Sequence, residues 1–223
     1  MSLLHLLHLT DSLFPIGGFG YSDGLETAAR QMRTPDDLRG WLDVCVEETF
    51  GRFEGPAVAR AWTAFRDASW DGLVALDREV TALRPSAAAR RASCAMGLRL
   101  VTTWHVLHPD DGLTRLLTDA ASGRLGPTLP VAFAAACASC GIDRRSTIQG
   151  YGYARLAAVV SAAMRVMPIG QTDAHRRLAG ALQRLPPLVD AIERSAEPLE
   201  CFSPFTDIAA MTQQYLDSRL FRS

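Results

Sequence analysis

Leu13-Phe14-Pro15-Ile16-Gly17-Gly18-Phe19-Gly20-Tyr21-Ser22-Asp23-Gly24-Leu25-Glu26 is an apolar bend that runs into a helix. Pro15 fixes its own φ and turns Phe14 away from helical backbone. Gly17, Gly18 and Gly20 permit positive φ or close backbone approach. Phe14, Ile16, Phe19 and Tyr21 are too apolar for a solvated loop, so the segment is expected to be packed down. Asp23 and Glu26 have capping-box spacing, and Leu25, Ala28, Ala29 and Met32 form the stripe that follows. A glycine loop entering a helix invites a phosphate-site reading. No Gly-Lys-Ser/Thr follows, however, and the spacing is not that of a dinucleotide fingerprint.

Working outward, Pro35-Asp36-Asp37 starts a helix striped by Leu38, Trp41, Leu42, Cys45, Val46 and Phe53, and Gly55-Pro56 is expected to break it. Helical stretches follow near 57–68 and 72–82 before a break at Arg84-Pro85-Ser86. Ala92, Met96, Leu100, Trp104 and Leu107 stripe the next helix, which Pro109 ends. A brief helix near 113–121, a loop over 122–127 and an alanine-rich segment over 129–140 lead to a long helix over about 143–167. Its stripe of Ile148, Gly152, Leu156, Val159, Ala163 and Val166 is small enough in places for a neighbouring helix to approach closely. Thr172 or Asp173 is expected to cap the next helix, after Pro168-Ile169-Gly170. A short one opens at Pro186-Pro187, and Thr206 or Asp207 is expected to cap the last. No stretch alternates with period two. The pattern predicts one all-α domain over 1–223, a bundle of about ten helices.

A chain of 223 residues, 48% hydrophobic, can bury one good core. Its net charge of −1 offers no basic footprint for nucleic acid or an acidic membrane surface. All 23 basic residues are arginine. That excludes chemistry needing a lysine, such as a Walker-type nucleotide site or a Schiff base, and favours bidentate contacts at interfaces. No run is long enough to span a bilayer, and the first nine residues lack the basic region of a signal peptide, so the chain reads as cytoplasmic. Five cysteines lie in apolar surroundings and read as small buried hydrophobes.

Few constellations suggest chemistry. His5/His8 and His105/His108 each share a helix face, but two imidazoles hold a metal only if further ligands converge. Cys137-Ala138-Ser139-Cys140 is a CxxC without a second pair or a βαβ setting. No Gly-x-Ser-x-Gly or HExxH is present. Two features suggest interaction instead. Pro168-Ile169-Gly170-Gln171 is a sharp corner presenting an amide. The last stretch, from Tyr215 through Arg219, Leu220 and Phe221, is too apolar and arginine-rich for a fraying end, so it should fold back or meet another protein.

The opening stretch, with Asp11-Ser12 before it, resembles the signature of the urease accessory protein UreF family. Arg165-Val166-Met167-Pro168-Ile169-Gly170-Gln171-Thr172 resembles a second family block. Ser203-Pro204, Asp207-Ile208, Met211 and Ser218-Arg219-Leu220-Phe221-Arg222-Ser223 resemble a third. Where the family often carries His-Glu, this chain has Gln213 and Gln214, which removes any titrating role of that histidine.

The resemblance implies an all-α, dimeric, non-enzymatic assembly factor that binds no cofactor of its own. It would join UreD (UreH in some organisms) and the GTPase UreG, and would help deliver nickel to apo-urease. Carried onto this chain, it places Tyr215, Arg219, Leu220 and Phe221 against UreD, and Gln171 with Arg165 towards UreG and GTP turnover. Arg155 and Ala157 fall at a homodimer contact, and Pro15, Gly17, Gly18, Ser22, Gly24 and Glu26 in the motif loop. The competing reading is a direct nickel carrier or small metal-dependent enzyme using His5/His8 or Cys137/Cys140.

Overall fold

The computed structural model describes residues 2–32 and 34–222, and among them twelve α-helices and no strand. At the centre is α8 (Leu129–Ser139), buried along almost its whole length. A helix apolar on every side belongs in a core, and its alanines let neighbours come close. Around it pack α4 (Gly55–Arg66), α6 (Ala87–Leu107) and α9 (Arg144–Val166). α5 (Trp70–Ala82), α7 (Asp111–Ala121), α10 (Gln171–Leu182) and α11 (Leu185–Arg194) surround this group. The linker between α7 and α8 is pinned by the buried Asp77 carboxylate, which accepts from Thr128 N and Oγ1 (both 2.8 Å) and Gly126 N (3.0 Å). There Gly97 is required: a Cβ would lie 1.9 Å from the Pro127 carbonyl oxygen.

Gly55-Pro56 does not end a helix. α3 (Pro35–Val44) runs into a π-helical segment, Cys45–Glu54, and directly on into α4. Proline removes a donor from the helix ladder. The carbonyl four residues before Pro56, that of Arg52, instead accepts from Glu200 N at 3.1 Å. The widened turn then carries the chain through, with Gly55 N donating to Phe50 O. Two caps also lie upstream of the expected residues. α10 starts after Gly170, leaving Asp173 within its first turn, and α12 (Pro204–Thr212) starts after Ser203 with Pro204 at its first position.

α1 (Ser2–Thr10) lies across α8 and α9, with Leu6 filling the space over Gly150. Only Leu9 of its leucines is buried, while Leu3, Leu4 and Leu7 face outward. His5 and His8 pack against the Trp104 ring with His108, and the His5 and His108 ring centroids are 4.7 Å apart. Burial first, then the neighbouring His5 and His8, hold the His108 pKa below its ordinary value. Unfolding therefore takes up a proton, and stability declines as pH falls through and below about 6.5. Urea titrations at pH 7.5 and 5.5 should show this loss, and His108→Phe should reduce it.

Candidate partner-binding surface

The opening stretch makes a 3₁₀ turn at Gly18–Gly20 and then reverses hand. Asp23 and Gly24 have φ of 51° and 88° before α2 (Leu25–Ala29) begins. Gly24 is needed twice over: for that backbone, and because a Cβ would lie 2.5 Å from Ala210 N. α2 consequently sits directly on α12. The expected Asp23–Glu26 capping box is absent. The Ser22 hydroxyl accepts from Glu26 N (3.4 Å), and both carboxylates are directed elsewhere, because the left-handed turn aims Asp23 into the interior.

Asp23 joins a buried ionic group. The Arg155 guanidinium donates to Asp23 and, through Nε, to Glu54 Oε2 at 3.0 Å, while Arg84 donates to the other Glu54 oxygen. The Glu54 side chain is 1% exposed. Burial pushes both carboxylates upward, but Arg155 and Arg84 outweigh it and hold Asp23 and Glu54 below their ordinary values. Two carboxylates and two guanidinium groups balance, and they tie the loop to the end of the π-helical segment and to α9.

Glu26 is turned the other way and is also buried. Its carboxylate accepts from Leu220 N (2.5 Å), Phe221 N (3.2 Å) and Gln213 Nε2 (3.0 Å). Gln213 in turn accepts from the Ser22 hydroxyl at 3.2 Å. Gln213 thus bridges Ser22 and Glu26, accepting from one and donating to the other. Arg222 N donates to Gly20 O (2.8 Å), and Arg30 reaches Ser218 O (3.4 Å). The Arg165 guanidinium lies over the rings of Phe19 (3.8 Å) and Phe221 (4.2 Å) and donates to Phe19 O (2.6 Å). Phe19, expected to be packed down, is exposed on one side and covered by Arg165 on the other.

The predicted site residues therefore divide. Phe221 is 3% exposed and belongs to the core, whereas Tyr215 at 78%, Leu220 at 55% and the exposed Arg219 look outward. Phe205, Ile208 and Met211 of α12 are exposed as well. Arg165 clamps this last segment, while Gln171 is exposed at the start of α10. Pro15 and Gly17 are exposed, Gly18 is partly covered near Met96, and Ser22, Gly24 and Glu26 are buried at the junction. Arg155 is engaged within its own chain. Ala157 packs on its own core, and the Gly150 and Gly152 positions face Leu6 and Phe50. The small-residue face of α9 thus accommodates elements of the same chain.

Sequence reading missed Glu54, Arg84 and Arg30 as partners, since Glu54 and Arg155 are 101 residues apart. Neither metal reading gains support. Among the described residues no group of three or more His, Cys, Asp or Glu could hold a metal ion. Burial raises the Cys137 thiol pKa and pushes that of Cys45 up to about 12, opposite to reactive thiols.

Replacing Arg155 with Met should destabilise the fold by about 3–5 kcal/mol, because Asp23 loses its cation and Glu54 keeps only Arg84. Urea unfolding at pH 7 measures this. The depressed values give a stabilisation present above the ordinary values, 3.8 for Asp23 and 4.5 for Glu54, and lost as pH falls through the folded ones. The variant should accordingly show a weaker acid transition than wild type.

A family model described as UreF matches residues 32–182. That match omits the opening loop and the last helix, but full-length relatives include both. The chain is 32% identical over 230 residues to the urease accessory protein UreF of Azoarcus sp. (strain BH72), an alignment covering 100% of this chain and 96% of that one. It is 32% identical over 219 residues to the protein of that name from Azorhizobium caulinodans, covering 94% and 90%. For the one from Nitrosococcus oceani the identity is 32% over 228 residues, covering 100% and 99%. The junction of opening loop and last segment described above is thus built from the blocks that carried the resemblance, and the chain belongs to the UreF family of urease accessory proteins.

Proposed function

We propose that this protein is a non-enzymatic scaffold in urease maturation, acting in the cytoplasm as a homodimer. It joins UreD (UreH) to the GTPase UreG so that nickel is delivered to apo-urease under control of GTP hydrolysis. The observation that carries this reading is the outward exposure of Phe205, Ile208, Met211, Tyr215 and Leu220, together with Arg219. Exposed apolar side chains accompanied by aromatic residues and an arginine have the composition of a protein interface. UreD is its occupant in this reading. No helix among the described residues is long and apolar enough to cross a membrane. Nickel and GTP are cargo and fuel of the complex, and neither is assigned a site on this chain.

Co-expression of the tagged chain with UreD and UreG, followed by pull-down and light scattering, tests the scaffold. Recovery of a complex with two copies of each protein is expected. Deleting residues 216–223 should abolish recovery of UreD, and its undiminished recovery would reject the docking assignment. Gln171→Ala should alter UreG turnover or urease activation and leave UreD binding intact. An Ala157→Trp variant that remains dimeric would remove the dimer contact from α9.

A further inference from the structure

α1 is nine residues long, too short to persist in water unless it is packed. Its apolar hold on the body is small: Leu9 is its buried leucine, and Leu6 covers Gly150. The other inward contacts are made by rings. His5 and His8 lie against the buried Trp104 ring, His108 lies against it from the end of α6, and His8 also meets Phe14. The cluster suits neutral imidazoles. His5 Nδ1 is buried without a hydrogen-bond partner, and the buried Trp104 Nε1–H already lacks an acceptor. An imidazolium donates from both nitrogens, so a proton on His5 would place a further N–H where nothing accepts it.

Counter-charge is scarce around these rings. The charges that act on His108 are those of His5 and His8. α8 carries no charged side chain. On α9, Arg144 and Arg145 pair with Asp190 and Glu193, Arg155 pairs with Asp23 and Glu54, and Arg165 covers Phe19 and Phe221. After α1, Asp11 accepts from Leu13 N (2.8 Å), and at the start of α7 Asp110 accepts from Leu113 N (3.0 Å). His105 of α6 is engaged by Asp110 N and Thr114 Oγ1, both at 3.4 Å. The C-terminus of α6 and the Trp104 face accommodate one positive charge. A second, with the His5 and His108 centroids 4.7 Å apart, meets repulsion that no paired carboxylate relieves.

We propose that His5, His8 and His108 form a proton-operated clasp, which holds α1 on the body in neutral solution and releases it in mildly acid solution while the rest of the bundle stays folded. Release takes up protons, so acid favours it. Because more than one proton is taken up, the change is steeper than the titration of a single imidazole. The clasp is independent of the scaffold reading.

The test measures amide hydrogen exchange of the full chain at pH 7.5 and 5.5, with EDTA present and rates corrected for the chemical effect of pH. In the wild type the amides of residues 6–10 should be protected at pH 7.5 and at least tenfold less so at pH 5.5, while those of α8 and α9 keep their protection. The double variant His5→Phe/His8→Phe should hold α1 equally at both values. His175→Phe, at an exposed position on α10, should respond as the wild type does. Equal protection of residues 6–10 in the wild type at both values would overturn the proposal. So would their lack of protection at pH 7.5, their loss together with α8 and α9, or a full pH response in the double variant. Should the double variant fail to fold, His108→Phe decides the matter by the same measurement.

Discussion

The guanidinium of Arg155 is the constraint on which the arrangement of the opening loop depends. It stands between Asp23, on a backbone of left-handed φ, and Glu54, at the last turn of a π-helical segment. Glu54, 1% exposed, depends on its cations, Asp23 is partly exposed at 30%, and the left-handed backbone at Asp23 is not one that its local sequence would choose. Ion pairs of this kind contribute little net stability compared with a well-packed apolar replacement. What they impose is geometry. With Asp23 drawn inward, Gly24 meets the backbone of α12 and Glu26 turns towards the last segment of the chain.

Two carboxylates three residues apart thus have opposite tasks. Asp23 compensates a buried cation, while Glu26 collects donors from backbone that has no secondary structure to satisfy it. Unpaired buried N–H groups are costly, so a single acceptor serving two of them and a glutamine amide locks the segment strongly for its size. The Arg165 stack adds a second restraint that does not compete for the same atoms.

The helical class, most boundaries and the importance of the opening loop are legible in the sequence, because apolar periodicity and glycine–proline punctuation are local signals. What escapes is non-local. Gly55-Pro56 carries the usual mark of a helix end, and only the distant Glu200 amide makes it passable. Asp23 and Glu26 have the spacing of a capping box, but tertiary demands on both carboxylates override it. The last segment is apolar enough to need cover, from its own chain or from another protein, yet nothing local says that Phe221 goes in and Leu220 stays out. In α1 the leucines divide in the same way, with Leu9 covered and Leu3, Leu4 and Leu7 exposed.

The contacts that close the junction join residues 187, 194 and 195 positions apart. Such separations place it at the slow end of folding, since almost the whole chain must be ordered before its halves can meet. During synthesis the opening loop emerges early and waits with its acceptor unfilled until residues 213–221 leave the ribosome. The junction is therefore completed late in synthesis. A half-folded copy would display the rest of the helical body with Glu26 still lacking its backbone donors.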